Sequence, residues 1–390
     1  MTEKYLHYLW DKKTYPIINH PIQNGQSISV LDYGKYNIND SGPDFKFGCV
    51  QFDNVQMHGH IEMHLKSSDW YKHKHHHDVN YNNVILHVVY ENDIEVVQNG
   101  YTLPFIELKH FITSKGFQTY NKGLLSKSAF PCQRYIEEID SVYFNSMLTR
   151  AVEQRFSHKV KFIVNHSLWE PKSALYAFLG RAFGTSVNKT PFEELVKTAS
   201  YNDLVKLPTG KRKAFLLSLS GIIQQESLLS NKSQSIWQFK GTRPHNSPSI
   251  RVRQFAELVA SFNFSLFNDV MDVQSIKRTF LSEIERVWSL PNNEIQKPSS
   301  PMINLLLINA IAPYFWFYGE YVNNEFFQEL AIDLLVSIPP EKNSILRKWK
   351  ELDIKPKNAF ESQGLIALYR YYCCRKKCLS CTVGQKVLNR

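Results

Sequence analysis

The alternation of apolar and polar residues predicts strands in the first third of the chain. Short alternating or β-branched runs, separated by turn residues, predict strands over Ser27–Tyr33, Lys46–Phe52, Met57–Lys66 and Val84–Tyr90. Before them, apolar residues from Tyr5 to Trp10 have helical spacing. The predicted order is therefore a helix, three strands, a short irregular or helical piece, and a fourth strand.

The pattern becomes helical after about residue 140. Thr190 and Ser247 each precede a proline at the first helical position, which is typical of a helix start. Apolar residues recur at three- and four-residue steps over Phe144–Val164, Leu175–Phe183 and Ala331–Ile338. We expect an α+β fold, with an α/β domain over residues 1–120 and an all-α domain over residues 135–390.

Composition and charge indicate a globular, basic protein. The 390 residues are 43% hydrophobic, which is typical of a globular chain, and the net charge is +10. A basic protein favours an anionic partner, and nucleic acid is the commonest one.

The chain shows no sign of export or of a membrane span. The N-terminus carries Glu3 and Lys4 and has no long apolar stretch, so we expect no signal peptide. The apolar run Ile303–Tyr318 is interrupted by polar residues and a proline, which predicts a buried helix. We expect a cytoplasmic protein with no membrane partner and with reduced thiols.

Histidines crowd into the stretch "HGHIEMHLKSSDWYKHKHHHD", which runs from His58 to Asp78. On a strand, alternate side chains share a face at intervals of about 6–7 Å. One face of the predicted strand then carries His58, His60, Glu62, His64 and Lys66. The other face carries the apolar residues. The polar face is either a solvated surface or a functional site.

A second acid supports the functional interpretation. Asp44 follows Pro43 directly and is expected where a turn enters a strand. If the strands form a hairpin around Asp53-Asn54, Asp44 and Glu62 lie near the same end of the sheet, where we expect them to line a solvated site. Two carboxylates on neighbouring strands suit Mg²⁺ or Mn²⁺, and such an ion activates water and neutralises phosphate.

A proline–aspartate pair, a hairpin, and Glu-x-(basic) on the next strand resemble the PD-(D/E)XK nuclease superfamily. The resemblance covers roughly residues 1–110 and implies a restriction-endonuclease-type domain with the order αβββαβ. It implies that Asp44 and Glu62 bind the metal and that a lysine two residues on assists the reaction. His64 occupies that position here, and Lys66 lies one step further on the same face. Glu3 is the candidate for a further acid on the first helix.

The whole chain also resembles an uncharacterised bacterial family, catalogued as a domain of unknown function. The stretches that carry this resemblance are "GPDF", "GHIEMHLKSSDW", "VILHVVYE", "RPHNSP" and the cysteine-rich tail. This resemblance implies no activity.

The remaining histidines leave two alternatives open. In a helix, His73 and His77 would be four residues apart and could share a metal. His87, with apolar neighbours on the fourth strand, is either a core residue or, with His73 and His75, a further ligand near Glu62. A cupin-like histidine–metal barrel is the competing architecture.

The tail stretch "CCRKKCLSC", at residues 373–381, predicts a second metal site. Cys374, Cys378 and Cys381 are closely spaced, and thiolates so placed suit Zn²⁺ or an iron–sulfur cluster. Distant Cys132 or a histidine is the candidate for the fourth ligand. The alternative is a group of unliganded, reduced thiols.

A basic loop precedes the helix that starts at Ser247. Arg243, His245, Arg251 and Arg253 surround this helix start, where exposed amides and arginine side chains attract phosphate. The loop is either a nucleic-acid contact or a polar connection.

Three functions remain open from the sequence. The first is metal-dependent phosphodiester hydrolysis on nucleic acid, a nuclease-like activity. The second is a nucleic-acid-binding module without catalysis. The third is a cupin-like metalloenzyme that acts on a small molecule.

Overall fold

The computed structural model divides the chain into two compact units. It describes residues 1–22, 25–37, 42–112, 114–126, 128–165, 170–222, 237–239, 246–267, 270, 272–290 and 295–388. The first unit is Met1–Tyr143 with Arg375–Arg390, and the second is Phe144–Cys374. The first unit contains a mixed sheet and the second is helical, so the predicted α+β class with an all-α C-terminal part is confirmed.

The first unit contains all the strands of the described chain and four α-helices. Its strands are β1 (His20–Pro21), β2 (Ser27–Asp32), β3 (Lys35–Tyr36), β4 (Phe45–Phe52), β5 (Val55–Lys66), β6 (Val84–Glu91), β7 (Val97–Gln98), β8 (Tyr101–Thr102) and β9 (Phe105–Glu107). Its helices are α1 (Glu3–Asp11), α2 (Asp69–Lys72) and α3 (Ser114–Leu125), and near the C-terminus α16 (Thr382–Leu388).

The main sheet is mixed, with strand order β1-β2-β4-β5-β6-β9. Strands β2, β4 and β5 form an antiparallel meander, and Phe52 pairs with Val55 across the tight Asp53-Asn54 turn, as the hairpin prediction requires. Strand β6 is parallel to β5, with Glu62 opposite His87, and β9 is parallel to β6. The described strands therefore do not form the antiparallel double sheet of a cupin, and that alternative is wrong.

The sheet has an apolar core on one face. Ile61 and Met63 of β5 are buried there, and Leu6 and Trp10 of α1 pack into the same cluster. The predicted inward position of the apolar residues of β5 is thus confirmed. A smaller cluster around Trp70 and its neighbours covers the connection between β5 and β6.

The second unit is built from helices around a large aromatic and aliphatic core. These helices are α4 (Ser141–Asn165), α5 (Pro171–Phe183), α6 (Lys189–Thr198), α7 (Tyr201–Lys206), α8 (Thr209–Ser220), α9 (Pro248–Ser261), α10 (Val273–Trp288), α11 (Ser300–Leu306), α12 (Ala312–Val322), α13 (Glu325–Val336), α14 (Ser344–Lys350) and α15 (Ala359–Leu368). The Ser247-Pro248 start is confirmed, since the Ser247 side chain accepts a hydrogen bond from the Ile250 amide.

One helical segment of the described chain, Ser300–Val322, is long and apolar enough to cross a membrane. In its most apolar 18-residue window, 72% is buried inside the protein. A π-helical stretch, Leu307–Ile311, lies in its middle.

The division of the chain differs from the predicted domain boundary. The predicted domains are separated at residues 121–134, whereas the first unit extends to Tyr143. The tail Arg375–Arg390 also belongs to the first unit rather than to the helical one. Local sequence cannot reveal such a return, because it depends on packing between distant segments.

Candidate functional site

Strand β5 places two ionisable side chains inside the first unit. Glu62 is 4% exposed and His64 is 1% exposed, although both lie on the polar face of the strand. The expectation of a solvated site is therefore wrong for Glu62. The chain that follows β5 folds back and covers this face, as the contacts of α2 with β5 show.

Asp44 and Glu62 come together as the hairpin prediction requires. The Asp44 amide donates a hydrogen bond to Oε2 of Glu62 at 3.0 Å. The Met63 amide donates to Oδ2 of Asp44 at 3.0 Å. The Glu62 carboxyl group is thus held by the backbone of Asp44. The Asp44 carboxyl group is held by the backbone of Met63, the residue next to Glu62.

Helix α1 brings two more ionisable groups to the site. Nε2 of His7 lies 3.1 Å from Oδ2 of Asp44. Glu3, the predicted further acid, lies close enough to raise the pKa of Glu62 through the repulsion between like charges. Sequence analysis missed His7, although its four-residue spacing from Glu3 puts both on one helix face.

The connection after β5 carries the histidines back to Glu62. Helix α2 ends at Lys72, and Lys74 then adopts a left-handed conformation with φ of 63° before a 3₁₀ turn over His75–His77. The prediction that His73 and His77 share one helix is therefore wrong. The turn instead brings His73 and His75 to the same cluster.

Aromatic packing holds the two buried histidines of this cluster. The His75 ring stacks on Tyr81 with 3.8 Å between ring centroids. The fully buried Trp70 contacts the edges of His64 and His75. His73 is exposed, so the cluster reaches solvent on that side.

The ring nitrogens and one carboxylate oxygen face each other at short range. Nε2 of His64 lies 3.1 Å from Nδ1 of His73. Oε1 of Glu62 lies 3.3 Å from Nε2 of His75 and 3.6 Å from Nε2 of His64. A ligand nitrogen from each of the three histidines lies within 4.8 Å of the other two.

His87 supports this cluster from the neighbouring strand. Its Nε2 lies 2.8 Å from Nδ1 of His64, the nitrogen on the far side of that ring from the cluster. The ring is fully buried, and its Nδ1 has no hydrogen-bond partner among the described residues. His87 is therefore both a core residue and a contact of the site.

Burial dominates the electrostatics of the cluster. It raises the pKa of Glu62 well above its usual value, and the Asp44 carboxylate raises it further. Burial lowers the pKa of His64 to about 2, with help from His87 and His75, and that of His87 to about 3. Both histidines are neutral at physiological pH, and when His64 is the donor in its 2.8 Å contact with His87, its Nε2 keeps a lone pair for a ligand.

The other predicted residues of β5 lie further out. Lys66 lies at the end of the strand and its side chain is exposed. Its backbone amide donates a hydrogen bond to the Asp69 carboxylate. His60 is half-buried, and His58 is exposed. Of the two basic residues predicted to assist Glu62, His64 thus lies beside it, with 3.6 Å between Nε2 of His64 and Oε1 of Glu62.

Three of the predicted cysteine ligands lie in the first unit. Burial raises the pKa of the Cys132 thiol to about 12, and nearby Cys381 and Cys378 raise it too, so the three thiols are neighbours. Cys374 falls in the second unit, where its exposed thiol donates to the Arg370 carbonyl at 3.1 Å. Whether these thiols hold a metal stays a prediction.

The basic loop is only partly described. Arg243 and His245 lie outside the described residues. Arg251 is buried and donates to Oε1 of Gln254 at 2.8 Å and to Asn246, so it ties the start of α9 together. Arg253 is exposed and open to a phosphate contact. The nucleic-acid contact of this loop stays a prediction.

Comparison with known proteins identifies the family. Residues 3–344 match the family model described as protein of unknown function, DUF2851. The chain belongs to this family. Neither the curated proteins nor the solved structures contain a match to the chain. The DUF2851 match carries no activity, so the geometry of the site is the basis for any functional assignment.

Proposed function

We propose that this DUF2851 protein is a metal-dependent hydrolase that cleaves phosphodiester bonds in nucleic acid. The observation that carries the proposal is the convergence of Asp44 and Glu62, linked by the Asp44 amide at 3.0 Å from Oε2 of Glu62. A buried carboxylate needs a compensating positive charge. A divalent cation between these acids would supply it, would acidify a bound water and would neutralise a phosphate.

The order of elements in the first unit supports the proposal. Helix α1 precedes the β2-β4-β5 meander, and the short helical connection leads to the parallel strand β6. This is the order αβββαβ that the resemblance to the PD-(D/E)XK nucleases implies. Asp44 lies at the start of the second strand of the meander and Glu62 on the third, in the positions that the resemblance gives to the metal ligands.

The roles of the neighbouring residues follow from their contacts. His64 occupies the lysine position of the motif, and its Nε2 lies 3.6 Å from Oε1 of Glu62, so it can help to hold an ion beside that acid. His7, 3.1 Å from Asp44, is placed to orient that carboxylate. The net charge of +10 favours association with a polyanion.

The test is cleavage by the full-length protein. Single- and double-stranded DNA and RNA are incubated with Mg²⁺, Mn²⁺ or Zn²⁺, and EDTA is expected to stop the reaction. Glu62→Gln and Asp44→Asn each remove one negative charge with little change of shape and are expected to abolish cleavage. Asp11→Asn is the matched control, because Asp11 is an exposed acid at the end of α1 that pairs with Lys12.

Two results would contradict the proposal. Full activity in Glu62→Gln or Asp44→Asn would mean that these acids do not hold the ion. Binding of nucleic acid by the wild type, without cleavage under any of the three metals, would favour the non-catalytic binding module instead.

A further inference from the structure

We infer that His64, His73 and His75, together with Oε1 of Glu62, bind one divalent transition-metal ion of the Zn²⁺ class. This centre extends the proposed function, because the bound ion would take part in hydrolysis. Only that role of the ion rests on the proposed function. The binding itself follows from the geometry of four side chains that come from β5 and the connection after it.

Three of the six distances between the donor atoms lie close to the edges of a metal tetrahedron. A Zn²⁺ ion about 2.0–2.1 Å from each ligand keeps its ligands about 3.3–3.4 Å apart in tetrahedral geometry. The distances here are 3.1 Å from His64 to His73, 3.3 Å from His75 to Glu62 and 3.6 Å from His64 to Glu62. The nitrogens of the three histidines all lie within 4.8 Å of one another, and Glu62 lies next to two of these histidines, so rotation of the side chains would bring the four donor atoms towards one ion.

The cluster also contains a buried nitrogen that lacks a partner. His75 is 9% exposed, and its Nε2 makes no hydrogen bond among the described residues, although it lies 3.3 Å from Oε1 of Glu62. An unpaired polar atom in the interior costs free energy. A cation between this nitrogen and the Glu62 oxygen would satisfy both atoms at once.

His87 acts as a positioning residue for the centre. Nε2 of His87 lies 2.8 Å from Nδ1 of His64. This contact holds the His64 ring with its Nε2 directed towards His73 and Glu62. Metal-binding histidines usually have such a partner on the second ring nitrogen, and the partner fixes the ring and its tautomer. The fully buried position of His87 keeps this contact in place.

The donor set selects the class of ion. Three imidazole nitrogens suit Zn²⁺, Fe²⁺ and similar ions, whereas Mg²⁺ and Ca²⁺ prefer oxygen ligands. The exposure of His73 gives the ion a route from solvent. Oε2 of Glu62 is held by the Asp44 amide, which leaves Oε1 for this ion and keeps the centre adjacent to the acidic pair.

The test measures metal in full-length protein without any substrate. Protein stripped with EDTA is titrated with Zn²⁺ against a chromophoric chelator. We expect His73→Ala and His75→Ala to bind one equivalent less than wild type, or to bind it more than about 100-fold more weakly, since even loss of an outer partner costs about 10–100-fold. His87→Gln is expected to fall within that smaller range. His73 is exposed, so its variant tests binding without disturbing the core.

The matched control is His77→Ala. His77 belongs to the same 3₁₀ turn, but its ring contacts His76 instead of the cluster. Co²⁺ separates this centre from the cysteines, because the histidine centre should give ligand-field bands that His73→Ala removes. Those bands should appear without thiolate charge-transfer absorption.

The outcomes separate the inference from the proposed function. Equal Zn²⁺ binding by wild type, His73→Ala and His75→Ala would overturn the inference, as would an equal loss in His77→Ala. Zn²⁺ binding that depends on His73 and His75, with no cleavage of nucleic acid, would support the centre while the proposed function fails. Cleavage by the wild type, with Zn²⁺ binding that is the same in His73→Ala and His75→Ala, would overturn the centre and leave the proposed function standing.

Discussion

Trp70 tests whether packing around the histidine cluster holds the first unit together. Its indole is fully buried against the rings of His64, His75, Tyr81 and His87. Replacement of a buried tryptophan by alanine costs about 3–5 kcal/mol. With a slope of about 4 kcal/mol per molar guanidinium, Trp70→Ala should lower the unfolding midpoint of the metal-free first unit by about 1 M.

Trp70→Phe is the informative partner of that variant. The indole nitrogen is buried without a hydrogen-bond partner among the described residues, which costs about 1–3 kcal/mol. Phenylalanine removes this unpaired N–H and keeps an aromatic ring, so its smaller volume is largely offset. We expect Trp70→Phe to lie within about 1 kcal/mol of wild type.

Chemical unfolding of EDTA-treated protein, followed by far-ultraviolet circular dichroism, measures both variants. The packing interpretation is refuted if Trp70→Ala leaves the midpoint unchanged. An equally large loss in Trp70→Phe would show that the indole N–H has a partner and that its pairing, rather than ring packing, stabilises the cluster.

Three further predictions concern other parts of the molecule. Ser67→Ala should lower the free energy of unfolding by about 1–3 kcal/mol in the same assay, because its buried hydroxyl bonds to the chain after β6 at 2.8–3.0 Å. Arg253→Ala should reduce the salt dependence of nucleic-acid binding, measured by fluorescence anisotropy, by roughly one unit; Arg251→Ala should instead destabilise the fold, since that side chain is buried. Cys378→Ser should lower the zinc or iron content of protein purified without oxygen, whereas Cys374→Ser should not, because its thiol is exposed and donates to the Arg370 carbonyl.

The strands around the site could be predicted because their signals are local. Alternation over Met57–Lys66 and the apolar run Val84–Tyr90 correspond to β5 and β6, which differ from the prediction by only a few residues at their ends. The turn at Asp53-Asn54 sets the pairing of β4 with β5 as far as Gly48, and a one-residue shift between Gly48 and Phe45 then places Asp44 beside Glu62. Each of these features depends on residues that are near neighbours in sequence.

The burial of the site could not be predicted in the same way. Alternation on β5 shows only that one face of the strand is apolar and the other is polar. The polar face can be open to solvent or covered by another segment, and the pattern is the same in both cases. What decides between them is the path of the chain after Asp69, which covers Glu62 and His64. That path depends on a left-handed Lys74, and lysine carries no sequence preference for this conformation. The placement of His73 and His75 near Glu62 was therefore only one of two alternatives that the sequence left open.

Glu62 connects the two proposals, and this determines which substitutions are informative. One oxygen of Glu62 accepts the Asp44 amide and the other faces His64 and His75. A change at Glu62 therefore disturbs the acidic pair and the histidine centre together and cannot separate them. The Asp44 amide donates to the first oxygen, while Nδ1 of His73 lies 3.1 Å from Nε2 of His64. Suppose that His73→Ala loses the metal and that Asp44→Asn loses cleavage. Oε1 of Glu62 would then belong to the histidine centre, and Oε2 to the acidic pair that cleavage requires.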